Sequence, residues 1–327
     1  PITKENFQPR KSKDVPKIID AAYHIASTGR PGVVVVDLPK DVLEQEVTDK
    51  DMREILDLPG YKPSTKGNPR QVKRAIDTIE SCEKPIILAG GGVLSSDSSE
   101  ELVEFATKAN IPIATSLMGK GSIPEDHILS LGLLGMHGLE STNNAVNDCD
   151  CLIAVGCRFS DRTTGNVNEF APNAIKIHID IDPAEIGKNV PIDIPIVGNA
   201  KTILKELTHE LDNPGHDEWT DEIVSKRQAY KPKFNFNTTA VKPQECIKEI
   251  MDAVTPETIV TTDVGQNQMW MAHYYKTHNP RTFISSGGLG TMGFGLPAAM
   301  GAQFAKPDEN VLSICGDGGF QMVSQEL

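Results

Sequence analysis

The chain has 327 residues, of which 39% are hydrophobic and 24% charged, and its formal net charge at pH 7 is −13. This length allows two domains or parts of three, with a composition ordinary for a globular protein. The acidic balance argues against nucleic acid and anionic membranes as partners. The sequence lacks an apolar run of membrane-spanning length and a signal-peptide core, and its six cysteines fit a reduced environment, so we expect a cytoplasmic location.

The amino-terminal segment contains one helix followed by one strand. Residues 15–27 have helical periodicity, glycines and a proline interrupt it, and residues 33–38 form an apolar run typical of a buried strand. One such unit cannot bury both faces of its strand. We therefore predict that residues 1–45 are the end of a larger α/β domain, followed by a linker over residues 46–68.

Residues 69–211 alternate regularly between helices and strands. Helices are predicted at 71–81, 98–109, 141–147 and 200–211, and strands at 85–89, 111–116, 151–156, 175–181 and 194–197. This alternation predicts an open, mostly parallel sheet with helices on both faces. Residues 212–240 are polar and predict a second, irregular linker. Residues 241–327 begin another alternation, with strands at 258–262 and 311–315, so the fold class is multi-domain α/β.

Ligand-binding candidates follow the strands of residues 69–211, because ligands bind outside the carboxyl ends of strands in open parallel sheets. The turn Gly90-Gly91-Gly92 directly follows a strand, so it is either a backbone cradle for a diphosphate or a plain flexible turn. A later strand leads to Arg158 and Arg162, whose guanidinium groups suit anionic ligands. The alternative is a solvated loop in which Asp161 pairs with Arg162. Asp180 ends another strand, where a carboxylate can accept hydrogen bonds from a ribose.

The carboxyl-terminal residues contain two further candidates. Residues 311–315 lead to a glycine turn with Asp317 at its tip, which suits a Mg²⁺ ion bridging to a diphosphate but is also a common Asp-Gly turn. Residues 264–267 follow a strand and open a helix, which suits a phosphate group, and the alternative is ordinary capping of that helix by Asp263. Residues 288–293 match the spacing GxGxxG, but no apolar strand leads into them, so we discount a dinucleotide site there.

Three strings carry a family resemblance: SSGGLGTMGFGLPAAMGAQ at 285–303, DVGQNQMW at 263–270 and GCRFSDRTTG at 156–165. They resemble the large catalytic subunit of acetolactate synthase (acetohydroxyacid synthase), a thiamine-diphosphate (ThDP) enzyme family. The resemblance runs from Pro1 to Leu327. It implies the end of a pyrimidine-binding domain at 1–45, a complete FAD-binding domain at 69–211 and the first part of a diphosphate-binding domain at 241–327. The activating glutamate would lie outside the chain, so we expect the chain alone to be inactive.

The resemblance implies the cofactors ThDP, Mg²⁺ and FAD, with Asp317 as the metal ligand. It also implies that Arg162 binds the carboxylate of the acceptor substrate, while Met136 lies near the substrate channel and Met292 supports the bent ThDP. The family usually has Asp at Asn199 and His at Asn267, so no charge-dependent role is expected at either position. The implied FAD contacts are Gly90, Gly91, Gly92, Thr115, Leu117, Met118, Gly135, Met136, His137, Gly156, Arg158, Asp161, Arg162, Asp180, Ile181, Gly198, Asn199 and Ala200. The implied ThDP contacts are Val264, Gly265, Gln266, Asn267, Gly290, Met292, Gly316, Asp317, Gly318 and Gly319.

The implied reaction is decarboxylation of pyruvate on ThDP and condensation with a second 2-oxo acid, pyruvate or 2-oxobutyrate. The products would be 2-acetolactate or 2-aceto-2-hydroxybutyrate, the first common step of branched-chain amino-acid biosynthesis, with FAD in a structural role. The resemblance further implies a homodimer or tetramer and a small regulatory subunit. The alternatives are another FAD-containing ThDP enzyme, such as pyruvate oxidase or glyoxylate carboligase, or a non-catalytic nucleotide-binding module.

Overall fold

A computed structural model describes residues 2–48, 58, 60–212, 215–230, 234 and 239–327. Its strands form three separate sheets, flanked by helices. The strands are β1 (Glu5–Phe7), β2 (Val34–Val36), β3 (Pro85–Ala89), β4 (Ile113–Thr115), β5 (Ser130–Leu133), β6 (Cys151–Val155), β7 (Ile175–Asp180), β8 (Ile194–Val197), β9 (Ile259–Thr262), β10 (Phe283–Ser285) and β11 (Val311–Ile314). The helices are α1 (Val15–Ser27), α2 (Lys40–Leu43), α3 (Pro69–Ser81), α4 (Gly91–Ser95), α5 (Ser99–Ala109), α6 (Glu140–Asp148), α7 (Asp161–Thr164), α8 (Ala200–Glu210), α9 (Asp217–Ala229), α10 (Pro243–Ala253), α11 (Gln266–Tyr274), α12 (Gly295–Ala305) and α13 (Asp317–Met322).

The central sheet has six parallel strands in the order β5-β4-β3-β6-β7-β8. The chain runs outward from β3 to β5, returns to the middle at β6 and then runs outward to β8. This is the strand order of doubly wound dinucleotide-binding folds, and its switch point lies between β3 and β6. The predicted open parallel sheet is confirmed, and ligands of such sheets bind beside the switch point.

The central sheet is buried on both faces because its strands alternate between two apolar cores. On β3, Ile87 joins one core with helices α3, α5 and α8, while Ile86 and Leu88 join the other with α6 and α9. All five residues of β3 and of β6 are buried. Continuous apolar strands with helices on both sides are what an internal parallel sheet requires.

Two features of the central unit differ from the sequence prediction. The segment 212–240, predicted to be an irregular linker, contains helix α9, whose Trp219 is buried and donates a 3.1 Å hydrogen bond from Nε1 to the carbonyl oxygen of Pro85. Packing therefore extends the central unit to at least Ala229. Strand β5 was not predicted, because its sequence SLGL is short and its Gly132 has a φ of +82°.

The carboxyl-terminal unit has a three-stranded parallel sheet in the order β10-β9-β11. Its core contains Val260 from β9, Met271 from α11 and Phe283 from β10. The central position of β9 places the turns after β9 and β11 side by side. In the described ranges, every helix is too short or too polar to cross a bilayer.

In the amino-terminal unit, β1 and β2 pair in parallel beside α1. Residues 33–38 were expected to form a buried strand, but Val33 and Val35 are 62% and 44% exposed. The strand itself is present, but two short strands and one helix leave part of β2 uncovered, which agrees with the expectation that one such unit cannot bury both faces of its strand. Arg30 joins this unit to the central one by ion pairs with Asp182 and Glu185. In the predicted linker 46–68, residues 49–57 and 59 lie outside the described residues.

Candidate functional site

The switch point of the central sheet is built from two glycine turns in direct backbone contact. A Cβ atom on Gly90 would lie 2.1 Å from the carbonyl oxygen of Gly156, and one on Gly92 would lie 2.5 Å from the Cα of Gly156. Gly156 itself has a φ of +56°, which favours glycine. The N–H groups of Gly90 and Gly92 donate to the carbonyls of Val155 and Gly156, so Gly91 is the remaining candidate amide donor in this turn.

Met136 and Arg162, two of the predicted site residues, are neighbours at the edge of the sheet. The N–H of Met136 donates a 2.8 Å hydrogen bond to the carbonyl oxygen of Arg162, and Arg162 Nη1 lies 3.3 Å from Met136 Sδ. Gly135 is required here, since a Cβ would lie 2.3 Å from the same carbonyl and its φ is +110°. Both side chains are exposed, as is that of His137. The structure thus presents a thioether and a guanidinium to solvent at one point.

The Asp161–Arg162 ion pair suggested as the alternative for this loop is present but weak. Arg162 Nε and Asp161 Oδ2 are 3.9 Å apart, and both side chains are mostly exposed. An exposed pair at this distance contributes less than about 1 kcal/mol. Arg162 therefore remains available to an anionic ligand.

The ends of β7 and β8 hold more enclosed candidates. Asp180 is buried, accepts a hydrogen bond from the N–H of Asp182, and burial raises its pKa. His178 is fully buried with Nε2 2.8 Å from the carbonyl oxygen of Cys157, and burial lowers its pKa to about 4, so its ring packs as a neutral imidazole. Asn199 caps α8 by accepting from the N–H of Thr202, with Gly198 and Ala200 beside it.

At the carboxyl end of β4, the neighbour of β3, Thr115 is buried, and Leu117 and Met118 follow it. Met118 is 42% exposed. A Cβ on Gly91 would lie 3.1 Å from the Cβ of Met118, so this turn packs against the glycine turn after β3. These side chains form the apolar part of the candidate FAD edge.

The turns after β9 and β11 form the second candidate site. Asp317 is exposed at the start of α13, and its Oδ1 accepts a hydrogen bond from the N–H of Gly318. Asn267 lies in the first turn of α11, and its Nδ2 is 3.1 Å from the position of a Cβ on Gly316. Its Oδ1 is buried without a hydrogen-bond partner. Because a 180° flip of the amide interchanges Oδ1 and Nδ2, Asn267 can present either an acceptor or a donor to a ligand next to Asp317.

Asp263 organises this second site, and sequence reasoning regarded it as no more than a helix cap. Its carboxylate is fully buried and accepts hydrogen bonds from the N–H groups of Val264, Gly293 and Gly295, at 2.7, 3.1 and 3.0 Å. A Cβ on Gly319 would lie 2.4 Å from Asp263 Oδ1. One carboxylate thus fixes the end of β9, the start of α12 and the approach of α13. An aspartate at a strand end before a glycine-rich segment was the available signal.

Residues 286–292, which we call the junction loop, lie between the two candidate sites. A Cβ on Gly287 would lie 2.8 Å from Met118 Sδ, and one on Gly288 would lie 3.8 Å from Arg158 Nη2. At its other end, Met292 Cε is 3.4 Å from the Cβ position of Gly318. The loop therefore touches the predicted FAD edge and the predicted ThDP turn. Arg158 lies next to this loop, whereas the described contacts of Arg162 are with Met136 and Asp161.

A buried ion pair links the central unit to the carboxyl-terminal unit near the junction loop. Lys120 and Glu125, whose side chains are 1% and 10% exposed, form a salt bridge. Glu125 Oε2 also accepts a 2.8 Å hydrogen bond from the N–H of Thr277, and Lys120 Nζ lies 5.5 Å from the ring centroid of Phe283. The pair connects the turn after β4 with the carboxyl-terminal unit. This contact joins residues far apart in sequence, so no local pattern predicted it.

Two family models match this chain, and the matches take in more than half of its residues. Residues 72–207 match the central domain of thiamine pyrophosphate enzymes, and residues 263–327 match their C-terminal TPP binding domain. The chain belongs to the thiamine pyrophosphate enzyme family. The matches correspond to the central sheet and to the unit that contains Asp263 and Asp317, so the predicted family is confirmed.

Similar curated proteins include several acetolactate synthases. A probable acetolactate synthase large subunit from Methanocaldococcus jannaschii is 54% identical over all of this chain and 57% of its own length. An acetolactate synthase large subunit from Buchnera aphidicola subsp. Schizaphis graminum is 45% identical over 58% of its length, and an acetolactate synthase from Mycobacterium leprae is 44% identical over 53% of its length. The chain thus spans a little more than half the length of these relatives.

The residues present fit the cofactors that this family implies. The unpartnered amide of Asn267 and the exposed carboxylate of Asp317 suit a diphosphate with its metal ion. Among the described residues, no three His, Cys, Asp or Glu side chains are grouped to hold a metal. A single carboxylate is still appropriate for Mg²⁺, which is commonly held by one or two carboxylates together with phosphate oxygens and water. The switch-point glycines and exposed Arg158 fit a dinucleotide.

Proposed function

We propose that this chain is part of an acetolactate synthase, which decarboxylates pyruvate and joins the product to a second 2-oxo acid. The junction loop is the observation that carries this proposal. Its one end lies beside Met118 and Arg158 at the candidate dinucleotide edge, and at its other end Met292 lies beside the candidate diphosphate turn. A carboligase acting on 2-oxo acids needs these elements together, because it must hold ThDP, enclose the reacting carbon and bind a carboxylate.

ThDP, when bound, supplies the electron sink for loss of CO₂. In this proposal, Asp317 holds the Mg²⁺, while Asn267 and the amides of the glycine turn bind the diphosphate. Met292 lies beside this turn and supports the rings of the cofactor, with Gly290 giving the backbone the φ of +68° that the loop requires. Asp263 acts as a positioning residue, because its three hydrogen bonds fix the backbone that carries Met292.

FAD is proposed to bind along the carboxyl edge of the central sheet in a structural role. Because the amides of Gly90 and Gly92 are engaged with protein carbonyls, the arginine side chains become the main candidates for the FAD diphosphate. Arg158 is exposed and near the junction loop, so we assign it this role. Arg162, beside Met136, is assigned to the carboxylate of the acceptor substrate.

The preference for acetolactate synthase over related activities rests on the relatives reported above, and none of these observations favours pyruvate oxidase or glyoxylate carboligase. By the same likeness, we propose a homodimer or tetramer with a small regulatory subunit. The substrates are pyruvate and either pyruvate or 2-oxobutyrate as acceptor. A cytoplasmic location stays a prediction from composition.

The test is Asp317→Ala in the assembled enzyme, with Asp308→Ala as the matched control. Asp308 is an exposed aspartate just before β11, so it lies at the end of the strand opposite to Asp317. We expect Asp317→Ala to abolish Mg²⁺-dependent ThDP binding and acetolactate formation while FAD content stays unchanged, and Asp308→Ala to change none of these. Loss of FAD together with ThDP would contradict the separation of the two sites. Unchanged ThDP binding by Asp317→Ala would contradict the proposal itself.

A further inference from the structure

A cavity of about 440 Å³ lies where the central unit meets the carboxyl-terminal unit. Its wall is formed by residues from the turn after β4, from β5, from the end of α9 and from α10 and α11. None of the residues predicted to contact FAD or ThDP is among its described lining residues. A cavity of this volume is large enough for a small organic ligand.

Arg227, near the end of α9, contributes a half-buried guanidinium to this wall. Its Nε donates a 3.1 Å hydrogen bond to the carbonyl oxygen of Leu131, and both Nε and Nη2 lie 3.9 Å from the Cβ position of Gly132. Within the described ranges, the contacts of Arg227 include no ion pair with a carboxylate, and burial lowers its pKa. A partly desolvated guanidinium of this kind is stabilised by an anion that enters beside it.

The two acidic side chains of the wall are already paired. Glu125 forms its buried salt bridge with Lys120, and Asp252 pairs with Lys248 within α10. The charge of Glu125 favours the protonated form of Arg227, but only without direct contact. Neither acid therefore replaces a counter-ion for Arg227, and a ligand that carries one negative charge would supply it.

The rest of the wall is mostly apolar and aromatic. The rings of Tyr230 and His273 meet edge to face at a centroid distance of 6.5 Å, and those of His273 and Tyr274 do so at 4.6 Å. Leu133 and Met251 add aliphatic surface. Aromatic side chains pack favourably against a further ring in such edge-to-face or offset arrangements. A ligand with one ring and one carboxylate matches both parts of the wall.

We propose that this cavity binds a small aromatic carboxylate, with the guanidinium of Arg227 as the partner of the carboxylate and Tyr230 and Tyr274 packing against the ring. The Nε of Arg227 stays on the carbonyl of Leu131, which leaves the Nη groups for the ligand. This site is separate from the proposed acceptor site at Arg162, and it requires neither ThDP nor FAD.

The first test is calorimetric titration of the assembled enzyme with 3-phenylpropionate and with 3-phenylpropionamide, which has nearly the same shape without the charge. The carboxylate should bind about 10–150-fold more tightly than the amide, because a charged contact is lost in the amide. Arg227→Gln should remove this preference. The matched control is Lys226→Gln, since Lys226 is one residue earlier, exposed and paired with Glu222, and this variant should keep the preference. Equal binding of the two compounds by the wild type, or no binding of the carboxylate, would overturn the proposal whether or not the variant folds.

The second test locates the bound carboxylate in the wild-type enzyme. Phenylglyoxal modifies accessible arginines, and mass spectrometry of the peptides gives the rate at each one. Saturating 3-phenylpropionate should slow the modification of Arg227 and leave that of Arg162 unchanged. Protection of Arg162 without protection of Arg227 would place the ligand in the proposed acceptor site and overturn the assignment. Neither measurement uses catalytic activity, so a failure here would leave the proposed synthase activity unaffected.

Discussion

Replacement of Gly319 by alanine tests whether Asp263 organises the candidate ThDP site. The new Cβ would lie 2.4 Å from Asp263 Oδ1 and 2.6 Å from its Cγ, whereas ordinary van der Waals contact begins near 3.4 Å. The carboxylate would therefore have to shift by about 1 Å. It cannot shift freely, because it is fully buried and holds the N–H groups of Val264, Gly293 and Gly295.

The expected destabilisation has two contributions. Overpacking of a buried site costs about 1–3 kcal/mol. Weakening one hydrogen bond to a charged group adds about 1.5–3 kcal/mol. The free energy of unfolding should therefore fall by roughly 2.5–6 kcal/mol. If only about 2 kcal/mol of this cost falls on the conformation that binds ThDP, binding becomes about 30-fold weaker.

Gly318→Ala is the matched control, since it makes the same chemical change one residue earlier in α13. Its Cβ would be 3.4 Å from the flexible end of Met292, which is an ordinary contact. Alanine also favours a helix over glycine by about 1 kcal/mol, so this variant should be neutral or slightly more stable. Urea unfolding and calorimetric titration with ThDP and Mg²⁺ measure both quantities. Equal behaviour of the two variants would refute the anchoring role of Asp263.

Three further outcomes are expected. In the assembled enzyme, Arg162→Ala should reduce carboligation about 10–150-fold more than decarboxylation, because a charged contact to the acceptor is lost; equal loss of both steps would contradict this role. Glu125→Gln should lower the free energy of unfolding by about 3–5 kcal/mol, because Lys120 is left buried without its counter-ion. Asp252→Asn, which breaks an exposed pair within one helix, should leave this free energy almost unchanged. The pKa of His178 is depressed to about 4, so its neutral form stabilises the fold above pH 6.5, and this contribution of about 3 kcal/mol is lost as pH falls from 6.5 to 4. In urea unfolding across this pH range, the stability of His178→Gln should depend less on pH than that of the wild type. An identical pH dependence would contradict the buried neutral state of His178.

The sequence predicted those elements whose signal is local. The strands β3, β6 and β8 are apolar runs bounded by turn residues, and the fold class follows from their alternation with helices. Helix α9 was missed because its charged residues hide one buried face formed by Trp219, Thr220, Ile223 and Val224. A pattern of this kind becomes visible only when the sheet that covers it is known.

The same contrast between local signals and long-range contacts holds for the candidate site residues. Residues at strand ends, such as Asp317, could be named as candidates because turn chemistry marks them in the sequence. The contact of Gly92 with Gly156 and the salt bridge that links Glu125 to the carboxyl-terminal unit join distant segments, so they could not be read from spacing. The buried acceptor role of Asp263 was missed for the same reason, since its partners Gly293 and Gly295 come some thirty residues later.

The close contact between the two switch-point turns limits how this fold can diversify. A side chain at position 90, 92 or 156 would enter the opposing backbone, so these positions cannot be used to adjust which ligand is bound. New specificity must instead arise at exposed positions farther out along the edge, where Met136, Arg158 and Arg162 face solvent. Engineering of this protein for other ligands should therefore randomise the outer loops and keep the three glycines fixed, because the loops can change while the scaffold beneath them cannot.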